Sequence, residues 1–411
     1  MPEPDIRVAM FLPPDDTLRV WELRDELRPT MRWHEMMHAD HASAFTVAKV
    51  ARLDLLRTIR ESLDRAMREG RTFEAWKTSL VPELKRAGWW GMVSDADVTG
   101  TTEPVIVNER RLQTIFRTNI RMSQAAGRWA KIQREKDRFP FLRYLSDHYR
   151  KKPRLDHRSW HGVILPVDHP WWQTHFPPNG WGCGCHYEQL TKAEMDSRGL
   201  SVSTPPDDGP PRPFFAAASD RPILVPPGIH PGFSYNPGTA HLRAVADKAA
   251  TSIARAENEG LEAAARETLE RIVADPAFDQ FVALPEGEFP FAWINQARRG
   301  DIAAQSGMVR FSASAHAHIF DDRGRSELGS DRLREVAAII SQPRAVFRER
   351  GNHLVYFGAG ANGDLYQVIV KTTGDRSRNY LSSVYRANRR SIERKRRSAD
   401  SELLFEVAGD E

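Results

Sequence analysis

Cysteine is nearly absent from this chain: 411 residues contain two. That excludes a disulfide framework. Long apolar runs are also missing, and with a mean hydropathy of −0.54 this excludes a membrane-spanning helix. The first residues, Met1-Pro-Glu-Pro-Asp-Ile-Arg, carry acid and proline where a secretory signal needs a basic end and an apolar stretch. No sign of charge dominates, since 59 Lys and Arg face 55 Asp and Glu for a net +4. No internal repeat is visible. What the chain does have is length, and with 40% hydrophobic residues it can build two or three domains.

The pattern predicts a multidomain α+β protein, with a largely helical first half, an irregular His/Cys/Trp-rich segment, and a later helix-plus-antiparallel-sheet domain. Residues 1–104 read as helical. Ser43 is the expected N-cap, Leu56, Ile59, Leu63 and Met67 recur at helical spacing, and Gly70 stops the run. A second helix at 73–85 ends at Gly88-Trp89-Trp90-Gly91. Residues 105–200 open with a helix carrying Leu112, Ile115, Phe116, Ala126, Trp129 and Ile132, and the periodicity vanishes after Pro140. From 147 to 185 the chain is dense in His, Trp, Pro, Asn and Gly, so its order must come from polar contacts, tryptophan packing or a metal. Residues 201–244 read as a Pro/Gly-rich linker and 245–307 as a helical connector, its helix near 245–274 ended by Asp275-Pro276. In 308–397, Leu333, Val336, Ala337 and Ile340 mark a short helix. Strand-like runs at 345–348, 353–357, 365–372 and 380–385 follow, with Asn362-Gly363 as a hairpin signal. Residues 398–411 read as a tail.

Three motifs carry chemistry. His34-Glu35-Met36-Met37-His38 has zinc-protease spacing, which would put two histidines on one helical face with a glutamate to polarise water. No third ligand follows at the usual distance, and the stretch reads better as a packed helix. Gly358-Ala-Gly360-Ala-Asn-Gly363 has dinucleotide-fingerprint spacing, but a strand follows it, so it reads as a hairpin loop. The informative stretch is Asp156-His157-Arg-Ser-Trp-His161-Gly162, then Asp168-His-Pro-Trp-Trp172, then Pro177-Pro-Asn-Gly-Trp-Gly-Cys183-Gly-Cys185. Two imidazoles, His157 and His161, and two thiolates, Cys183 and Cys185, make a candidate structural zinc set. The alternative is a Trp/Pro-stabilised loop with two buried free thiols.

These blocks, preceded by Arg110-Arg111-Leu112-Gln-Thr-Ile-Phe116-Arg117-Thr118-Asn119, Gly70-Arg-Thr-Phe73 and Gly88-Trp89-Trp90-Gly91, resemble the Mu F-like phage head morphogenesis family over about residues 45–200. One departure is Gly184, where that family usually has arginine. The resemblance implies a minor virion protein of a Mu-like phage or prophage, acting in head assembly near the portal. Its implied partners are portal and capsid proteins and packaged DNA, with no membrane. Its implied places are the inside of the virion head and the host cytoplasm.

The last region has its own chemistry. His316, His318, Lys371, Ser383 and Arg386 include groups suited to metal-independent RNA cleavage, which needs a base, an acid and a cation for the phosphorane. The run Arg389, Arg390, Arg394, Lys395, Arg396 and Arg397 reads as a nucleic-acid-binding footprint or as a solvated helix. The helix-then-sheet order resembles phage nuclease-like domains grouped with barnase, EndoU, colicin E5/D and RelE, which would make this part a toxin or effector with RNA as substrate. The competing readings are a purely structural head protein with an inactive last domain, or a zinc protease at His34 to His38.

Overall fold

The computed structural model describes residues 15–147, 154–321 and 328–407. The chain divides into two compact units, 1–244 and 245–411, and both mix helices with sheets, as the composition pattern implies. Among the described residues no helix is long and apolar enough to cross a membrane.

The first unit is built on four helices: α1 (Asp15–Leu23), α2 (Leu53–Arg68), α3 (Phe73–Arg86) and α4 (Glu109–Glu135). Apolar side chains at helical spacing on α2, α3 and α4 meet in one core, with Leu56, Ile59, Leu63, Trp76, Leu80 and Leu112 all buried. Helix α3 is capped by the Thr72 side chain, which accepts from the Ala75 amide, and α4 by Asn108, which accepts from Arg111. Ser43 is not the expected cap. It ends a short helix, Asp40–Ser43, while α2 begins at Leu53 behind Arg52, which makes no side-chain cap.

Helix α1 crosses α4 at Gly127. A Cβ there would lie 2.8 Å from the backbone nitrogen of Thr17 and 2.9 Å from the carbonyl carbon of Asp16. Backbone cannot yield as a flexible side chain can. Gly127→Val is therefore expected to cost at least the usual overpacking penalty of about 1–3 kcal/mol, read as a lower urea midpoint with unchanged slope.

His34 to His38 is not a helix of either expected kind. Trp33–Glu35 forms one 3-10 turn, Met36 is extended, and His38 has φ of 43°. The two histidines therefore do not share a helical face. His34 Nδ1 accepts from the Ala217 amide at 3.0 Å, His38 Nε2 bonds the Pro231 carbonyl at 2.8 Å, and Glu35 accepts from the Met31 amide at 2.7 Å. This removes the geometry that a protease site needs.

Beyond α4 the chain makes a small antiparallel sheet, with β1 (Phe141–Leu145) between β2 (Ile164–Pro166) and β3 (His186–Leu190). A single-turn helix, α5 (Leu155–Ser159), precedes β2. The 201–244 stretch contains a two-stranded hairpin, β4 (Arg212–Phe214) with β5 (Ile223–Val225), and it packs on this unit: Phe214 stacks on Trp33 at 5.4 Å. It is a belt and not a free connector. Helix Pro237–Asn258 follows.

The second unit contains α6 (Glu262–Ala274), α7 (Pro276–Ala283), α8 (Ala313–Asp321), α9 (Ser330–Ser341) and α10 (Arg389–Arg397). The expected helix near 245–274 is broken at Gly260, whose φ is 76°. The seven-stranded sheet comprises β6 (Glu288–Trp293), β7 (Met308–Ser312), β8 (Ala345–Glu349), β9 (His353–Ala359), β10 (Leu365–Thr372), β11 (Asn379–Ala387) and β12 (Ser401–Glu406). Its order is β6-β7-β11-β10-β9-β8-β12, antiparallel except between β7 and β11. The glycine-rich stretch is the β9–β10 hairpin, where the Gly360 amide donates to Asp364 O and the Gly363 amide to Gly360 O. Strand β6 lies in the stretch read as helical and β12 in the stretch read as a tail.

Candidate metal centre

Strand β1, helix α5 and the loop ahead of β3 bring three ligand atoms together. His157, on α5, places Nδ1 3.6 Å from the Cys183 sulfur and 3.4 Å from the Cys185 sulfur. All three residues are buried and their ligand atoms lie within 4.8 Å of one another. With Zn–S near 2.3 Å and Zn–N near 2.0 Å, a tetrahedral zinc site has an S···N edge of about 3.5 Å, so the spacing fits the metal. The His157 tautomer fits too. Its Nε2 donates to the Gly228 carbonyl at 3.1 Å, which leaves the Nδ1 lone pair facing the sulfurs. The two sulfurs form a coupled pair. Their mutual hydrogen bond, with His157, holds the Cys183 thiol well below the thiol range, while that bond and burial push Cys185 up.

His161 does not join them. The spacing of four puts two side chains on one face only while the helix lasts, and α5 ends at Ser159. His161 sits in the following turn beside Gly162, and its Nδ1 accepts from the Ser146 amide at 3.1 Å.

The cluster is framed by groups that the sequence did not single out. Arg121, on α4, donates Nη1 to the Cys183 carbonyl and Nη2 to the Cys185 carbonyl, the latter at 3.3 Å. The buried Tyr144 hydroxyl donates to Asn179 Oδ1 at 2.9 Å. Trp160 is fully buried, stacked on His157 with ring centroids 4.9 Å apart, and edge-on to Tyr144, Trp171 and His175. Its Nε1 donates to Asp208 Oδ1 at 2.6 Å, and the other oxygen of Asp208 lies 3.0 Å from His175 Nε2. Asp208 and Gly228 thus close the belt over the cluster. Gly228 has φ of 80°, and a Cβ on it would meet Asp156 at 2.5 Å and the Trp160 ring at 3.0 Å. Only glycine brings its carbonyl to His157. At Gly184 the Asp147 side chain occupies the space a Cβ would take, so a larger residue there would need Asp147 to move.

The second unit distributes its five candidates over helix α8 and strands β10 and β11. His316 bonds the Val282 carbonyl at 2.9 Å and stacks on Phe320 at 4.1 Å, among the helices. His318 is exposed on α8. Lys371 alternates with the residues of β10 that face α9, so it lies on the opposite face, together with the buried Ser383, which pairs with Ile369. Arg386 pairs across from Tyr366, five residues from Lys371 along β10, and ion-pairs with Asp364 at 3.6 Å. Of the basic run on α10, Lys395 meets Glu349 at 2.5 Å and Arg396 meets Glu406. Arg389, Arg390, Arg394 and Arg397 are exposed and make no ion pair among the described residues.

These features define a multidomain α+β protein whose first unit holds a buried imidazole–thiol cluster packed against tryptophan rings and covered by a Pro/Gly-rich belt. Residues 57–188, which span that cluster, match the family described as Phage Mu protein F like protein. Over 200 residues, 48% of this chain and 45% of the relative, the sequence is 37% identical to "Putative capsid assembly protein F" of Escherichia phage Mu. Over 175 residues, 43% of this chain and 41% of the relative, it is 38% identical to the Mu-like prophage FluMu F protein of Haemophilus influenzae. This part of the chain is similar to the Mu F-like proteins, and the chain spans under half the length of these curated relatives. No solved structure matches. Asp208 and Gly228 lie outside the segment that matches the family.

Burial also sets a pH dependence. His41 and His241 are held at about 4, both by desolvation, His41 also by Arg24. Between 6.5 and 4 the folded form keeps them neutral while the unfolded chain binds protons. Stability is therefore full above pH 6.5 and falls toward pH 4, by about 1.4 kcal/mol per pH unit for each histidine. Urea midpoints from pH 7 to 4.5 check this, and His241→Asn should flatten the slope.

Proposed function

We propose that this chain acts in assembly of a Mu-like phage head, with portal and capsid subunits as its partners, and that His157, Cys183 and Cys185 hold a structural zinc. The observation that carries the reading is the match of residues 57–188, which contain all three ligands, to the Mu F-like family. When bound, zinc would supply a cross-link between α5 and the cysteine loop, holding in place the carbonyls that Arg121 grips. The reading is tested by deleting the gene from a producing phage or prophage. Loss of infectious particles, restored by the wild-type gene, is the expected result. Unchanged head yield and infectivity would overturn it.

For the second unit we infer nucleic-acid contact through Arg389, Arg390, Arg394 and Arg397, the four arginines of α10 that carry no acidic partner among the described residues. RNA remains the candidate substrate, but Lys371 and Ser383 lie on one face of the sheet, Arg386 on the other, and His316 and His318 on α8, which leaves binding better supported than cleavage. Arg390→Glu/Arg394→Glu is expected to weaken RNA and DNA binding and to lower the salt slope by about two. Full-length chain incubated with RNA in chelator tests cleavage, with His318→Ala beside it. Cleavage lost in that variant would restore the nuclease reading.

A further inference from the structure

A second site lies in the first unit, beside the cysteine loop, whose Trp181 lines it. A cavity of about 350 Å³ runs along one face of α4, in the size range of small-ligand pockets. Its walls are mostly apolar, from Val20, Trp33, Val47, Ile115, Met122 and Phe233. Two guanidinium groups line it, Arg24 over the Trp21 ring and Arg111 over the Trp89 ring, and among the described residues neither has a carboxylate partner. Arg24 is 6% exposed; its Nη2 donates to Asn119 Oδ1 at 3.0 Å and its Nε to the Ala44 carbonyl at 3.5 Å, while Nη1 has no partner among the described residues. Arg111 donates Nη2 to the Ala48 carbonyl, and its buried Nε is unpaired. The other charged neighbour of Arg24 is Arg60, a like charge whose Nε donates to the Arg24 carbonyl at 2.8 Å. A buried cation without an anion is expensive, and arginine is suited to holding a carboxylate through two parallel bonds.

We propose that this cavity binds a carboxylate carried on an apolar body, with Arg24 holding the carboxylate and the Trp33, Ile115 and Phe233 walls holding the body. The carboxylate can belong to a free small acid or to the end of a peptide chain. Phosphate suits the site less well, because most of the lining surface is apolar.

The test is calorimetric titration of the full chain near neutral pH with N-acetyl-phenylalanine, N-acetyl-leucyl-phenylalanine, the amide of that dipeptide, and inorganic phosphate. The dipeptide acid is expected to bind saturably, and its amide at least about tenfold more weakly. Arg24→Gln should weaken the acid by about tenfold or more. Thr118→Trp, which should fill the cavity from α4 while leaving the Arg24 guanidinium in place, is expected to abolish binding with a melting curve like that of the wild type. Tighter binding of the dipeptide than of the single residue would mark a chain end as the ligand, and equal binding a free acid. Acid and amide binding alike, phosphate binding tightest, both variants binding like wild type, or no acid binding saturably would each overturn the proposal. None of these outcomes depends on head assembly or on zinc.

Discussion

His157→Ala is expected to strip the chain of its metal, and His161→Ala to leave it in place. Purified without chelator, the wild type should carry about one zinc per chain, and so should His161→Ala. His157→Ala and Cys183→Ser/Cys185→Ser should carry essentially none. The two histidines are four apart in sequence, but only His157 reaches the sulfurs. His161 lies past the end of α5 and accepts from Ser146. Ligand binding to a site absent from the unfolded chain is folding free energy. The ligand variants should therefore lose about 3 kcal/mol or more, roughly 10 °C in melting temperature for a unit of this size. Elemental analysis and a melting curve on the same samples check both halves. Equal metal loss in the two histidine variants would mean that both are ligands.

Trp160→Ala is the second large effect expected. Its ring is fully buried, stacks on His157 and packs against three other aromatic rings. Truncating such a side chain costs about 3–5 kcal/mol, because the cavity adds to the lost burial. Here the change also strands Asp208, which bonds both Trp160 and His175. Trp160→Phe separates the contributions. It keeps most of the packing but removes the N–H, so its cost should be the smaller, near the 1–3 kcal/mol of an unsatisfied buried acceptor. Urea unfolding followed by tryptophan fluorescence measures both. Limited proteolysis near Asp208 should accelerate in Trp160→Ala if the belt is held as described.

The sequence made the regular elements legible wherever apolar residues kept one period. Leu56, Ile59 and Leu63 mark α2, the residues from Leu112 to Ile132 mark α4, and Leu365 to Thr372 mark β10 with its hairpin at Asn362-Gly363. It failed where period and burial part company. Strand β6 is buried along nearly its whole length, so it shows no alternation, and it carries Pro290 at a register shift on the sheet edge, where proline is tolerated. Strand β12, at the other edge, leaves Leu403 and Phe405 exposed and reads as tail.

The candidate metal site was half legible. Residue type alone picks out Cys183, Cys185 and a histidine near them. Which histidine is a ligand depends on where α5 stops, and a helix of five residues carries no periodic signal. Arg121, Asp208 and Gly228 had no signal of their own. Each acts through a contact to residues 62 or more, 33 or more, and 71 positions away, respectively. The separation of Arg386 from Lys371 and Ser383 follows from sheet register, which the hydrophobic pattern fixes only once the pairing is known.

The most direct measurement is quantitative mass spectrometry of heads purified from a producing phage or prophage, comparing wild type with Cys183→Ser/Cys185→Ser. Wild-type chain present in the heads, with the variant absent or the head yield reduced, is the expected result. Wild-type chain absent from heads, or the metal-free variant incorporated at wild-type level into normal infectious particles, would contradict a head-assembly role built on the imidazole–thiol cluster.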